Sequence, residues 1–228
     1  MSLNDADDLP VTVRGRATRD RIVSCAAQLI LERGSAGFRV EDVRECASVS
    51  GSQMTHYFPD KDALVRAVII RQTEVLLDFH QQPALRNLDT FEDFERWVEL
   101  TLKYSRRKIR NGDMPTYAGF VGQLSKYDDE TREALADGYR QWIGLLRRGL
   151  ARMKRNGLLI DTADPAALAN VLVSAHQGGA MMTGAYSTIW PDREALEFAL
   201  NYLRQFTVDA ADQQPRVAKG SRRPTVRA

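Results

Sequence analysis

At 228 residues, with 43% hydrophobic and 27% charged side chains, the chain is long enough for a sizeable core and too apolar to be largely disordered. No run of about eighteen apolar residues occurs and the N-terminal MSLNDADDLP is acidic and polar, so neither a membrane span nor a secretory leader is read, and a cytoplasmic location is expected. The net charge of +2 hides an asymmetry, because residues 213–228 carry Arg216, Lys219, Arg222, Arg223 and Arg227 without an acid and leave −3 for the rest. A body of that charge does not coat nucleic acid generally, so any DNA contact has to be local.

Residues 1–13 read as a disordered tail. From Thr18 to Arg33 the apolar residues Ile22, Ala26, Leu29 and Ile30 share one helical face, and Gly34 follows as a C-cap. Ahead of this helix Arg14, Gly15, Arg16, Arg19 and Arg21 form a basic arm that either tracks phosphates or is a solvated flank. Two very short helices are predicted next, over Val40–Ala47 and Gly51–Phe58, the second broken by Pro59. Cys25 and Cys46, the only cysteines, sit in apolar helical segments and read as small core fillers rather than a disulfide.

Asp60 caps a longer helix that carries Leu64, Val68, Ile69, Val75, Leu76 and Phe79 and stops near Pro83, long enough to connect two domains. Further helices are read at 90–110, 115–126 and 129–155, the last closed by Asn156-Gly157. Asp164-Pro165 then opens a helix over Ala166–Met182 that is apolar or small on nearly every side, interrupted by Asn170, Ser174, His176 and Gln177. Asp192–Phe206 supplies another apolar face. Packing against a second copy of residues 164–208 is the simplest way to cover both, which predicts a homodimer. The fold class is therefore all-α. A helix-turn-helix domain is expected over residues 14–60, a helical ligand-binding and dimerisation domain over 61–208, and a basic disordered tail over 209–228.

Residues 37–64, GFRVEDVRECASVSGSQMTHYFPDKDAL, hold the functional signal. A short helix, a tight turn and a second short helix let one side of the second helix enter a major groove while the first braces it. Ser50, Gly51, Ser52 and Gln53 are small or amide residues suited to close approach and hydrogen bonding. With Met54 and Phe58 turned inward, Thr55, His56 and Tyr57 are left toward DNA. Arg39 and Lys61 are placed to neutralise phosphates.

This segment resembles the TetR family of repressors, whose pattern appears here as Val49-Ser50-Gly51-Ser52-Gln53-Met54-Thr55-His56-Tyr57-Phe58-Pro59 with Lys61 two residues on, preceded by Gly37-Phe38 and Val40-Glu41-Asp42-Val43. The similarity is close from Arg19 to Leu64. Arg39 stands where the family usually has a Thr cap, Ser48 where a turn Gly is common, and Thr55 where a Tyr often contacts the DNA backbone. The resemblance implies a dimer that grips a palindromic operator in double-stranded DNA. It also implies that a small-molecule effector tilts the connecting helix of residues 60–82 and moves the two reading heads out of register with half-sites about 34–36 Å apart.

No catalytic or cofactor signature accompanies the motif: His56, His80 and His176 lack metal-ligand spacing, and neither a phosphate loop nor a nucleophile elbow occurs. The chain is not expected to be an enzyme or to need a cofactor or metal. Trp97, Tyr104, Tyr117, Phe120, Trp142 and Met181 fall on helices that should converge, as an apolar ligand cavity or as plain core. His176 and Gln177 are polar on an apolar helix and need partners, from a ligand or across the dimer next to Gly178-Gly179. The residues leave open a helical binding protein or enzyme with a vestigial helix-turn-helix, and an activator in place of a repressor.

Overall fold

The computed structural model describes residues 13–111 and 116–208. Nine helices are found among them: α1 (Val13–Gly37), α2 (Val40–Cys46), α3 (Gly51–Tyr57), α4 (Lys61–Gln81), α5 (Phe91–Arg110), α6 (Thr116–Leu124), α7 (Asp129–Arg155), α8 (Pro165–Tyr186) and α9 (Trp190–Arg204). The only extended pairing among the described residues is an isolated bridge between Leu159 and Thr207, which ties the α7–α8 loop to the chain leaving α9. No helix of the described residues is long and apolar enough to cross a membrane. The two tails expected at residues 1–13 and 209–228 lie outside the described residues, apart from Val13.

The helix ends follow the local chemistry. Ser50, Asp60, Thr90, Asp128 and Asp164 each turn a side-chain oxygen onto an orphan backbone N–H of the helix they precede. Arg39 precedes α2 without any side-chain cap, as its departure from the family pattern implied. Gly34 has φ +74° and breaks α1 just where the apolar period ends. Ser48, in the turn between α2 and α3, takes φ +50°, a left-handed conformation more readily adopted by glycine. The helix begins at Val13, so the expected basic arm is corrected: Arg14, Arg16, Arg19 and Arg21 lie on α1 itself. Arg21 is already engaged, its Nε donating to the Ala47 carbonyl at 2.7 Å, and Arg19 sits over the Phe58 ring.

Two apolar cores stack end to end. The first joins Ile22, Ala26 and Ile30 of α1 to Val43, Met54 and Phe58, and continues into Leu64, Val68 and Ile69 of α4, Phe120 and Leu124 of α6 and Leu135 of α7. The second gathers Phe94, Trp97, Trp142, Leu146, Leu150, Leu172, Leu196 and Leu203. Each Val, Leu, Ile, Phe or Met side chain so buried contributes about 1.5–3 kcal/mol relative to exposure. α4 and α7 belong to both cores, the first with Leu76 and Phe79 against the lower one, the second through Trp142 onward. The core beneath residues 14–60 is completed by half of α4, the inner face of α6 and the start of α7.

The expectation for the cysteines is also corrected. Cys25 of α1 and Cys46, the last residue of α2, are joined in a disulfide, with Cα atoms 5.9 Å apart. The pairing depends on how α1 and α2 cross, which composition and periodicity do not reveal.

Candidate nucleic-acid interface and effector cavity

α3 is short, and its geometry is set by its first turn. Ser50 Oγ accepts from Gln53 N at 3.2 Å while Gln53 Oε1 accepts from Ser50 N at 2.9 Å, a reciprocal capping box that starts α3. Met54 and Phe58 are 4% and 5% exposed and pin its inner side. Ser50, Gly51, Ser52, Gln53, Thr55 and His56 stay exposed on the other side. Gln53 keeps its amide NH₂ and a second lone pair on Oε1 for an outside partner, and Thr55 turns its hydroxyl back to the Gly51 carbonyl at 3.1 Å. Tyr57 departs from the expectation of a residue left toward DNA, being half-buried against the head core, with its ring edge on His56.

The two cations expected at phosphates are placed differently. Arg39 is exposed at the start of α2. Lys61 is half-buried: its Nζ donates to the Phe38 carbonyl at 3.1 Å and stands 4.2 Å from the centre of the Phe38 ring. Lys61 therefore fastens the start of α4 to the α1–α2 connection. Tyr127 Oη donates to Asp62 Oδ1 at 2.7 Å and Arg66 pairs with Glu130 at 3.0 Å, so the same end of α4 is also held by the α6–α7 region. Burial, followed by the neighbouring Asp62, pushes the Tyr127 phenol up to about 12.

Beyond the head, side chains of α4, α5, α6, α7 and α8 line a partly open cavity of about 60 Å³. Of the expected ligand residues, Tyr104, Tyr117, Trp142, His176 and Gln177 line it. Trp97, Phe120 and Met181 do not. Trp97 is fully buried behind the wall, Phe120 belongs to the head core, and Met181 is 58% exposed on the outer side of α8. Residues that sequence reasoning did not assign to the cavity complete it, above all His80 of α4 and Thr101 and Ser105 of α5. Thr101 and Ser105 stand one helical turn apart, a spacing that could have marked a shared polar face, but nothing in the pattern of α5 said which face looks into a cavity.

The polar groups of this cavity are wired to one another. His80 Nε2 receives two indole N–H donors, Trp97 Nε1 at 2.9 Å and Trp142 Nε1 at 3.1 Å, so it is the acceptor nitrogen. Nδ1 therefore carries the proton and donates to the Leu76 carbonyl at 2.8 Å, leaving the ring neutral. Burial lowers the His80 pKa to about 4, more than its backbone hydrogen bond raises it. Asp192 of α9 is 0% exposed; its Oδ2 accepts from Ser105 Oγ at 3.1 Å and its Oδ1 lies 2.8 Å from His176 Nδ1. Ser105 thus directs its proton to a carboxylate and not to an imidazole, so nothing here activates it as a nucleophile. Tyr139 Oη donates to Gln177 Oε1 at 2.9 Å, and burial pushes its pKa up to about 12. Thr101 Oγ1 is buried and has no hydrogen-bond partner among the described residues.

Gly178 and Gly179, adjacent in sequence, have different surroundings. A Cβ on Gly179 would run into Asp192 of α9, so this glycine serves the α8–α9 contact within one chain. Gly178 faces open space, on an outer stripe of α8 that includes Asn170, Ser174, Met181 and Tyr186. Nearby on α9, Phe198 is 73% exposed and Tyr202 36%.

Comparison with known proteins agrees with this arrangement. Residues 22–68 match the family described as bacterial regulatory proteins, tetR family. The chain is 24% identical over 174 residues to the HTH-type transcriptional repressor DhaR of Mycobacterium sp. (strain GP1), covering 70% of this chain and 79% of that protein. It is 23% identical over 193 residues to the HTH-type transcriptional repressor NemR of Escherichia coli (strain K12), covering 82% and 94%. A TetR transcriptional regulator of Chloroflexus aurantiacus J-10-FL superposes with a TM-score of 0.73 at 18% identity, over 86% of this chain and 98% of that one. A capped α3 braced on the head core and the match over residues 22–68 make the N-terminal head a helix-turn-helix of the tetR type, and the chain as a whole is similar in fold to TetR regulators.

Proposed function

We propose that the chain is a homodimeric transcriptional repressor that binds a palindromic operator through α3 and releases it when a small, uncharged, mainly apolar molecule enters the cavity. The observation that carries this reading is the two-sidedness of α3: Met54 and Phe58 are locked into the core while Ser50, Gly51, Ser52, Gln53, Thr55 and His56 face solvent together. Arg39 supplies an exposed cation for the DNA backbone, and residues 14–60 act as the reading head although their core extends into residues 61–208. The repressor names of the relatives DhaR and NemR support the sign of regulation.

The ligand class follows from the cavity walls. No lysine or arginine among the described residues lines it, His80 is neutral, and Asp192 sits behind Ser105 and His176, so an anion would meet no fixed countercharge. Phe79, Tyr104, Tyr117 and Trp142 suit an apolar or aromatic body, and Thr101 Oγ1 is left to hydrogen-bond one polar atom of the guest. Dimerisation is supported by the outer stripe of α8 with Phe198 and Tyr202, large apolar side chains that a second copy would cover.

Binding of the purified protein to a labelled fragment from upstream of its own gene, measured by anisotropy against a scrambled fragment of equal length, tests this. Salt-dependent binding with clear preference for the first fragment supports the reading. Equal affinity for both, in a protein that elutes as a folded dimer, rejects it.

A further inference from the structure

We propose that Cys25 and Cys46 are a reversible thiol–disulfide pair whose closure stiffens the reading head and tightens DNA binding. The pair links the middle of α1 to the last residue of α2, immediately before the turn Ala47-Ser48-Val49 that aims α3. The turn is closed locally by hydrogen bonds from Ala47, Ser48 and Val49 N–H to the carbonyls of Val43, Glu45 and Arg44, and Val49 is buried. Arg21 holds the Ala47 carbonyl, and Val43 and Ala47 are buried, but the Arg33–Asp42 ion pair acts nearer the start of α2 and Arg39 leaves α2 without a side-chain cap. Ser48 holds a left-handed conformation in the same turn. The covalent link therefore adds a tie to α1 at the junction between the bracing helix and the reading helix, where the turn's own hydrogen bonds are local.

The two sulfurs are not equally reachable. Cys25 is only 9% exposed, whereas Cys46 lies on the exposed side of the head, so attack and release occur at Cys46. With glutathione disulfide as oxidant, the Cys46 thiolate attacks one sulfur of the reagent, forms a mixed disulfide and expels one glutathione thiolate. Cys25 then attacks Cys46 Sγ, and the second glutathione leaves with the proton that Cys25 gives up. The two cysteines lose two protons and two electrons in total, and one glutathione disulfide takes them up to become two glutathione thiols. Reduction runs the same steps in reverse, beginning at the exposed sulfur. When the pair is open, Cys25 remains a small apolar filler in the head core, so the head stays folded but α2 and the turn open more often.

The test compares full-length protein equilibrated with dithiothreitol or with glutathione disulfide, alongside Cys46→Ser, a change at an exposed position, and Cys25→Ala. Bond formation is followed by mass spectrometry after alkylation, stiffness by amide hydrogen exchange, and DNA affinity by anisotropy on the fragment from upstream of its own gene. The expected result is a bond in the oxidised wild type only. Exchange of α2 and turn amides should then be slower by about tenfold or more, within the range that closing a loop of this length allows. Affinity for the fragment should rise several-fold, and both variants should behave as the reduced wild type in either buffer. Thiols that stay unpaired in glutathione disulfide, or a bond that changes neither exchange nor affinity, overturn the proposal. The DNA part rests on α3 as the reading helix: if neither form prefers the fragment over scrambled DNA, that assignment fails, while the exchange data still decide whether the bond stiffens the head.

Discussion

Trp142 donates its indole N–H to His80 Nε2 at 3.1 Å, and in doing so ties the C-terminal end of the connecting helix α4 to the middle of α7. Trp97 of α5 makes the same bond to the same nitrogen, so a proton on Nε2 would face two donors and lose both. The folded pKa of about 4 lies below the ordinary 6.5, mainly because the ring is buried. Between these values the unfolded chain binds the proton and the folded one does not. Stability should therefore be fully present above pH 6.5 and decline toward pH 4, by about 3 kcal/mol at the acid end from this group. His80→Gln should lower the melting temperature at pH 7 but flatten its fall between pH 7 and pH 5 relative to wild type. Thermal melts at matched ionic strength check this, and parallel curves for the two proteins would show that His80 is not the titrating group.

The exposed face of α3 separates two kinds of contact. His56 is exposed, with its ring edge-on to Tyr57, so His56→Ala should leave the melting temperature unchanged. If it reads a base, it should lose about 1–3 kcal/mol of preference for operator over scrambled DNA. Gln53→Ala should show both effects, because it also breaks the capping box at a cost of about 1 kcal/mol. Lys61→Ala should act mainly on stability, since Lys61 holds the Phe38 carbonyl and ring. Anisotropy against both DNAs, paired with melts, separates the three; a Lys61→Ala protein of unchanged stability and weaker affinity for both DNAs would return Lys61 to the phosphates.

The head and the helix order were legible because they rest on local patterns: an apolar period of 3.6, a capping Asp ahead of α4 and α8, and a glycine near the end of α1 and behind α7. The cavity was only half legible. Aromatic residues announce themselves by size, and Tyr104, Tyr117 and Trp142 do line it, but Phe120 falls on the head side of α6 and Trp97 behind His80. Asp192 reads only as the first residue of an apolar helix and is fully buried, bonded to Ser105 and His176. Ser105, His176 and Asp192 come from three helices, and the Cys25–Cys46 bond from two, so none of these relations exists until the helices have packed.

Glycines inside helices give a test in which two effects oppose each other. Alanine is favoured over glycine in a helix by about 1 kcal/mol. At Gly149 of α7, however, an added Cβ would collide with the Leu88 backbone carbonyl, which cannot swing aside as a side chain could. Gly149→Ala should therefore destabilise by about 1–3 kcal/mol despite the better propensity. Gly122 of α6 faces open space, and Gly122→Ala should instead stabilise slightly. Denaturant midpoints of the two variants should move in opposite directions; a shift of the same sign would mean that the Leu88–Gly149 approach is not close in solution.

Phe198 is 73% exposed, so replacing it by Glu removes little from the subunit's own core. If α8 and α9 pair with a second copy, Phe198→Glu places a charge in that interface and should convert the dimer to a monomer at micromolar concentration, with a loss of operator affinity but not of helical content. Light scattering with circular dichroism reads both. A dimer of unchanged mass would place the interface elsewhere.

Thr101 allows stability and ligand binding to be set against each other. Its hydroxyl is buried at the cavity wall with no partner among the described residues, and an unsatisfied buried hydroxyl costs about 1–3 kcal/mol of desolvation. Thr101→Val has nearly the same shape and removes only the polar atom, so the ligand-free protein should gain about 1 kcal/mol, or about 2–4 °C in melting temperature for a chain of this size. Such a gain at no change in DNA affinity means that the hydroxyl is kept at a cost to the empty protein, as expected of a group whose partner arrives with the guest. A loss of stability in Thr101→Val would show that the hydroxyl is already satisfied, for example by an ordered water, and would take it off the ligand side of the cavity.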